Sequence, residues 1–250
     1  GIDFTEIQVH TELGPAPAWY VPGKGDTWVV MVHGGNGRRQ GNLHALQAFH
    51  DAGLPILDIT YRNDLGAPRS PDHLIHAGAT EWRDVEAAAK TAQSMGAKKL
   101  VIFGASMGGS IVGQFMVHSA EMSKVKAVVL ENPMVSPPQT IDAALGGWKF
   151  VGPLARAVTG WRIGVDLDDL DLMRHPPRIK PPTLVFHGDA DRDIDVNITR
   201  RFVAAAKRMD WPVQYEEFPG AGHTEEWNLD HTRYHDTVVA FLKRTLPVGG

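Results

Sequence analysis

The chain has 250 residues, a formal net charge of −4, and 22% charged against 43% hydrophobic residues. That is the balance of an ordinary globular protein, and with no Lys/Arg run longer than two it excludes a nucleic-acid footprint or a polybasic membrane patch. The absence of cysteine excludes disulfides, thiolate nucleophiles and Cys-based metal centres.

Short apolar runs alternate with helical spacing from end to end. FTEIQVH (4–10) and PAWYVP (17–22) read as two strands joined by a Gly/Pro turn. WVVMVH (28–33) is a continuous apolar run, as in a strand buried on both faces. A helix over 43–53 follows, then strand PILDIT (55–60), a helix over 81–96, strand KLVIFG (99–104) and a helix over 108–120. Strand KAVVLEN (126–132) precedes an irregular stretch, 137–181. Strand TLVFHG (183–188), a helix over 197–209, strand VQYEEFP (213–219) and a helix starting near Trp227 complete the chain. Alternating strands and helices predict a mostly parallel sheet of eight strands covered on both faces. A connection as long as 137–181 is too long for a compact α/β unit, so it is expected to be a small helical insertion within one domain spanning 1–250.

Open parallel sheets bind ligands at the carboxyl ends of their strands. After the third strand comes HGGNGRR (33–39), after the fifth GASMGG (104–109), after the seventh HGDADRDID (187–195), and after the eighth PGAGHTEEW (219–227). GASMG fits G-x-S-x-G with Ser106 at its centre, and a strand-to-helix turn there presents the hydroxyl in a strained, exposed position. A serine hydroxyl is a poor nucleophile without a base. Of the twelve histidines, His223 lies in a Gly-rich loop after the last strand, where a base is needed. His33 and His187 end strands in H-G turns and are expected to be structural.

The base needs a carboxylate to fix its tautomer. HGDADRDID offers four aspartates. A calcium loop of the D-x-D-x-D kind requires Gly at its sixth position and Glu at its twelfth, where this chain has Ile194 and Arg200, so a metal loop is rejected. Asp191 is the expected acid, with Asp193 and, more distantly, Glu131 as rivals. Asp189 is suited to bracing the turn, and Asp195 reads as a helix N-cap.

These pieces (HGGNG, GASMGG, HGDADRDI and GAGH) stand in the order of the α/β-hydrolase superfamily, which the chain resembles over nearly its whole length. The stretch 61–109 is more narrowly similar to bacterial hydrolases related to the prolyl-oligopeptidase-type catalytic domain, without its propeller. The resemblance implies an α/β-hydrolase fold with a cap-like insertion after the sixth strand. It implies a serine hydrolase acting through an acyl-enzyme on Ser106, with Asp191 and His223 completing a triad. It places the oxyanion-binding N–H groups at Met107 and Gly35, with Asn36 next in line. No cofactor and no metal are expected. The expected partner is a small acyl substrate. The preferred reaction is hydrolysis of carboxylic esters or thioesters, the alternatives being acyl transfer, aminoacyl peptidase activity, or a silent binding module.

Trp148, Phe150, Leu154 and Trp161 in the insertion, with Asn36 and Trp227, are candidates to line an acyl pocket; packing of the insertion onto the sheet is the competing reading. Arg38 and Arg39 read as a solvated pair, with the holding of an anionic substrate group as the alternative; Glu225 and Glu226 read as a wet loop, with the binding of an amine as the alternative; and His231 and His235 read as no more than a weak i, i+4 zinc pair. No apolar stretch reaches the roughly 18 residues of a membrane span. The chain starts with Gly1 rather than Met, so a preceding signal or anchor is compatible with it, and the sequence assigns no compartment or oligomeric state.

Overall fold

The computed structural model describes residues 1–146 and 151–246. Its sheet has eight strands in the order β1-β2-β4-β3-β5-β6-β7-β8. The strands are β1 (Thr5–Thr11), β2 (Gly14–Val21), β3 (Thr27–Val32), β4 (Ile56–Ile59), β5 (Lys99–Ala105), β6 (Val125–Glu131), β7 (Thr183–Gly188) and β8 (Val213–Phe218). β2 pairs antiparallel with β1 and β4, and every other pairing is parallel. The chain has the α/β-hydrolase fold.

The continuous apolar runs become the central strands because both of their faces are covered. Side chains alternate across a strand, so Val30 and Val32 enter one core while Val29 and Met31 enter the other. The first core is closed by α2 (Trp82–Ser94), α3 (Met107–His118) and α6 (Val196–Arg208), through residues such as Val85, Phe115 and Phe202. The second is closed by α1 (Leu43–Asp51) and α8 (His231–Thr245), through Phe49, Tyr234 and Phe241.

Between β6 and β7 lie α4 (Pro137–Ala144), α5 (Val151–Ile163) and a 3-10 turn (Leu167–Leu170). The C-terminal segment expected as one helix divides into a single turn, α7 (Glu226–Leu229), and α8, because Asp230 leaves helical geometry to cap α8 through the Arg233 N–H. No described helix is long and apolar enough to cross a membrane.

Candidate active site

Ser106 stands between the last residue of β5 and the first of α3, with φ +54° and ψ −122°. A non-glycine residue in that region carries strain of about 1–3 kcal/mol, so its surroundings must hold it. The Ser106 N–H donates to the Glu131 carbonyl at 2.8 Å, and its carbonyl accepts from the N–H groups of Gly109 and Met134. The elbow also demands glycine at Gly108, where a Cβ would lie 2.4 Å from the Val32 carbonyl oxygen. The spacing that the motif reads as G-x-S-x-G is thus a close crossing of α3 over β3.

His223 Nε2 lies 2.8 Å from Ser106 Oγ, and its Nδ1 lies 2.7 Å from Asp191 Oδ2. An ionised carboxylate only accepts, so Nδ1 carries the proton and Nε2 is free to accept from the serine hydroxyl. Asp191 is fixed on both oxygens. Oδ1 accepts from the N–H groups of Asp193 and Ile194, and Oδ2 accepts from Asn132 Nδ2 at 2.8 Å as well as from His223. The His187 ring also lies 3.3 Å from Oδ2 and donates to the Ile194 carbonyl. Burial acts to raise the Asp191 pKa, but these donors outweigh it and hold the carboxyl far below the ordinary range. Burial likewise acts to lower the His223 pKa, and the Asp191 hydrogen bond and charge turn the net shift upward.

The rival acids have other work. Asp193 is exposed, and it forms with Asp191 and His223 the one group of metal-ligating side chains found close together among the described residues. Two of those three are already hydrogen-bonded to each other. Glu131 is fully buried and accepts from His44 Nε2 at 2.7 Å, which removes it as a partner for His223. Asp189 accepts from the Gly220 N–H and ties the acid loop to the histidine loop, and Asp195 caps α6 through the Asn197 N–H.

The HGG turn faces this line. Both nitrogens of the buried His33 meet acceptors at 2.8 Å, the Gly34 carbonyl and Asp64 Oδ2, so the ring holds two protons, and its pKa is raised by Asp64 against the opposing pull of burial. The Gly34 carbonyl also accepts from the Tyr61 hydroxyl and the Gly37 N–H. With that carbonyl clamped, the Gly35 N–H of the same trans peptide is turned the opposite way. Gly34 packs so closely on Ser106 that a Cβ would lie 3.0 Å from the serine Cβ. Neither the Gly35 nor the Met107 N–H is taken by an acceptor among the described residues, and Met107 opens α3, where intrahelical acceptors are lacking.

A cavity of about 180 Å³ adjoins Ser106, and its lining includes His33, Gly35, Arg38, His44, His223 and Thr224. Among the described residues, none of the aromatics expected from the sequence lines this cavity. Trp161 is 82% exposed on α5 and borders a separate groove, and Leu154 is 65% exposed. Trp227 lies against His231 at the surface, and Asn36 is exposed and is not among the residues lining the cavity. Trp148 and Phe150 fall outside the described residues. Exposed aromatics on a helix give the same sequence signal as lining aromatics.

Arg38 is exposed and lines the cavity, whereas Arg39 is not solvated but bonds Glu6 and lies over Trp19. Glu226 is not wet; it is fully buried, and burial together with the Glu131 charge pushes its carboxyl well above the ordinary range. His235 pairs with Asp51 and Asp236 rather than with His231. Asn132 and His44 escaped sequence reasoning. Asn132 is signalled only by its place at a strand end, where it takes φ +41°, and His44 only by its position at the start of α1.

A model of the prolyl oligopeptidase family matches residues 75–248. No curated protein matches the chain by sequence. Among solved structures, an esterase of Pyrococcus furiosus superposes with a TM-score of 0.76 at 18% identity, covering 98% of this chain and 94% of that one. A puromycin-hydrolyzing peptidase of Mycobacterium tuberculosis gives 0.80 at 21% identity, covering 99% of this chain but 40% of its own. An acylaminoacyl peptidase of Pyrococcus horikoshii gives 0.78 at 14%, covering 100% and 42%. This chain therefore spans less than half the length of those two peptidases.

Proposed function

The chain belongs to the prolyl oligopeptidase family and is a serine hydrolase, and from that premise we propose that it is an esterase cleaving short-acyl carboxylic esters or thioesters. In this reading Ser106 Oγ attacks the acyl carbonyl while His223 Nε2 takes the hydroxyl proton. Asp191 keeps the proton-bearing Nδ1 in place and stabilises the imidazolium. The N–H groups of Met107 and Gly35 receive the charge that grows on the carbonyl oxygen, and losing one such donor typically costs about 3 kcal/mol of barrier. His223 then returns the proton to the leaving alcohol or thiol. Water, activated by the same imidazole, cleaves the acyl-enzyme. Residues 137–181 are read as a cap-like insertion in a single hydrolase domain.

The observation that carries this reading is the line Ser106 Oγ, His223, Asp191, with both links under 3 Å. The choice of ester over aminoacyl amide rests on the cavity wall. An aminopeptidase needs an acid to hold the substrate ammonium, and no described residue of the wall is acidic. The cavity is also smaller than the roughly 300 Å³ at which sites for larger ligands begin.

A fluorophosphonate probe should label the wild type and leave Ser106→Ala unlabelled. Labelling of both, or of neither, removes the reading. A panel of p-nitrophenyl acetate to octanoate, acyl-thioesters and aminoacyl amides should show the highest kcat/KM on the short oxygen or sulfur esters. Turnover of aminoacyl amides alone makes the protein a peptidase instead.

A further inference from the structure

The described wall of the Ser106 cavity carries no carboxylate, although the chain has more acidic than basic residues, 29 against 25. Its ionisable members are Arg38, His33, His44 and His223. Each imidazole has its own acid, Asp64, Glu131 or Asp191, and none of those acids lines the cavity. Imidazole rings therefore face the substrate space, and the carboxylates that hold them stand behind.

Arg38 differs from the three histidines. It is exposed at the cavity wall and its guanidinium has no hydrogen-bond or ion-pair partner among the described residues, whereas its neighbour Arg39 is engaged by Glu6 and Trp19. A guanidinium presents a planar fork that matches a carboxylate with two parallel hydrogen bonds. His44, on the same wall, is already engaged, its Nε2 bound to the fully buried Glu131. The other acid packed beneath this wall, Asp58, is bonded to Asn42 and has its pKa raised to about 7 by burial, so it opposes the Arg38 charge only weakly near neutrality.

We propose that the cavity selects short esters carrying a carboxylate, with Arg38 pairing with that group. The inference rests on the esterase reading above and names the substrate class of the same site. The carboxylate can reside on the acyl or the alcohol side of the ester, and the two are separable with defined probes.

The experiment compares kcat/KM within isosteric pairs. Monomethyl succinate against methyl 4-methylpentanoate places the charge on the acyl side. O-acetylglycolate against isobutyl acetate places it on the alcohol side. The wild type should prefer the anionic member of one pair by about tenfold or more, the scale of a charge-assisted hydrogen bond. Arg38→Gln should reduce that ratio toward unity, Arg38→Glu should invert it, and Arg38→Lys should retain part of it. The rate of fluorophosphonate labelling in each variant reports whether the triad is still assembled. A ratio at or below one in both pairs for the wild type, or a ratio that survives Arg38→Glu, overturns the inference and leaves the esterase reading standing. If Ser106 labels but no ester of either kind is hydrolysed, both fall together.

Discussion

The loops at the strand ends and the insertion between β6 and β7 treat their side chains in opposite ways. In the loops, polar atoms are held by several partners at once. Asp191 accepts from two backbone N–H groups, Asn132 and His223, and the Gly34 carbonyl accepts from His33, Tyr61 and Gly37. In the insertion, Val151, Leu154, Val158 and Trp161 recur at i, i+3, i+7 and i+10 along α5 and remain exposed. That spacing forms an apolar stripe, yet the stripe does not face the sheet. Position is over-determined where a proton must cross between two atoms, and it is not enforced where chemistry makes no such demand.

The sharpest way to break this contrast is to remove one of the partners in the loops. Asp191→Asn keeps the shape but offers Nδ1 of His223 a wrong partner, and in a serine triad such a change lowers kcat about 10⁴-fold. The pH profile supplies a second reading. His223 serves as base only when neutral, so kcat/KM should rise with pH through its pKa. Because Asp191 holds that pKa above the ordinary histidine value against the pull of burial, the wild-type acidic limb should lie above about 6.5. In Asp191→Asn the limb should move downward as the rate falls. A variant with near-normal kcat and an unmoved limb would mean that the carboxylate is not His223's working partner.

The same contrast explains what could be read in the sequence. Strand positions were legible because burial on two faces leaves uninterrupted apolar runs, as at Val29–Val32 and Leu184–Phe186. Ser106 was legible because Gly104 and Gly108 mark the crossing that the turn requires. Burial of a charged residue was not legible. Glu226 reads as solvent-facing beside Glu225, and only the fold shows that it lies inward, next to Glu131 and Tyr234. Nor was the function of the aromatic residues, since Trp161 follows a helical period whichever way the helix turns.

Glu226 gives a smaller, more selective test. Both its oxygens and Glu131 Oε1 are buried without a donor, and a proton on Glu226 supplies the missing one. The folded state thus binds a proton that the unfolded chain releases near pH 4.3, and stability should fall as pH rises from there toward the elevated folded value. Glu226→Gln carries its donors at every pH. Its melting temperature should lie nearest the wild type at pH 5 and exceed it increasingly toward pH 8, because a proton held only by the fold costs up to about 1.4 kcal/mol per pH unit over that window. A wild type that gains stability between pH 5 and 8 relative to Glu226→Gln would show that Glu226 is ionised in the fold.

The smallest effect is expected at the other pole of the comparison. Trp161 is 82% exposed and borders a groove separate from the Ser106 cavity. Removing an exposed side chain away from caps, ion pairs and cores changes stability by no more than about 0.5 kcal/mol. Trp161→Ser should therefore melt within a degree or two of the wild type and hydrolyse short esters at the same kcat/KM. The result separates two roles that one static arrangement of α5 leaves together. If the tryptophan swings over the cavity during turnover, KM for the longer p-nitrophenyl esters should rise in Trp161→Ser while that for acetate stays fixed, and the insertion would then have to be counted with the strand-end loops. If both stay fixed, chain-length preference is set by the cavity's own wall, where Arg38 and His44 already stand.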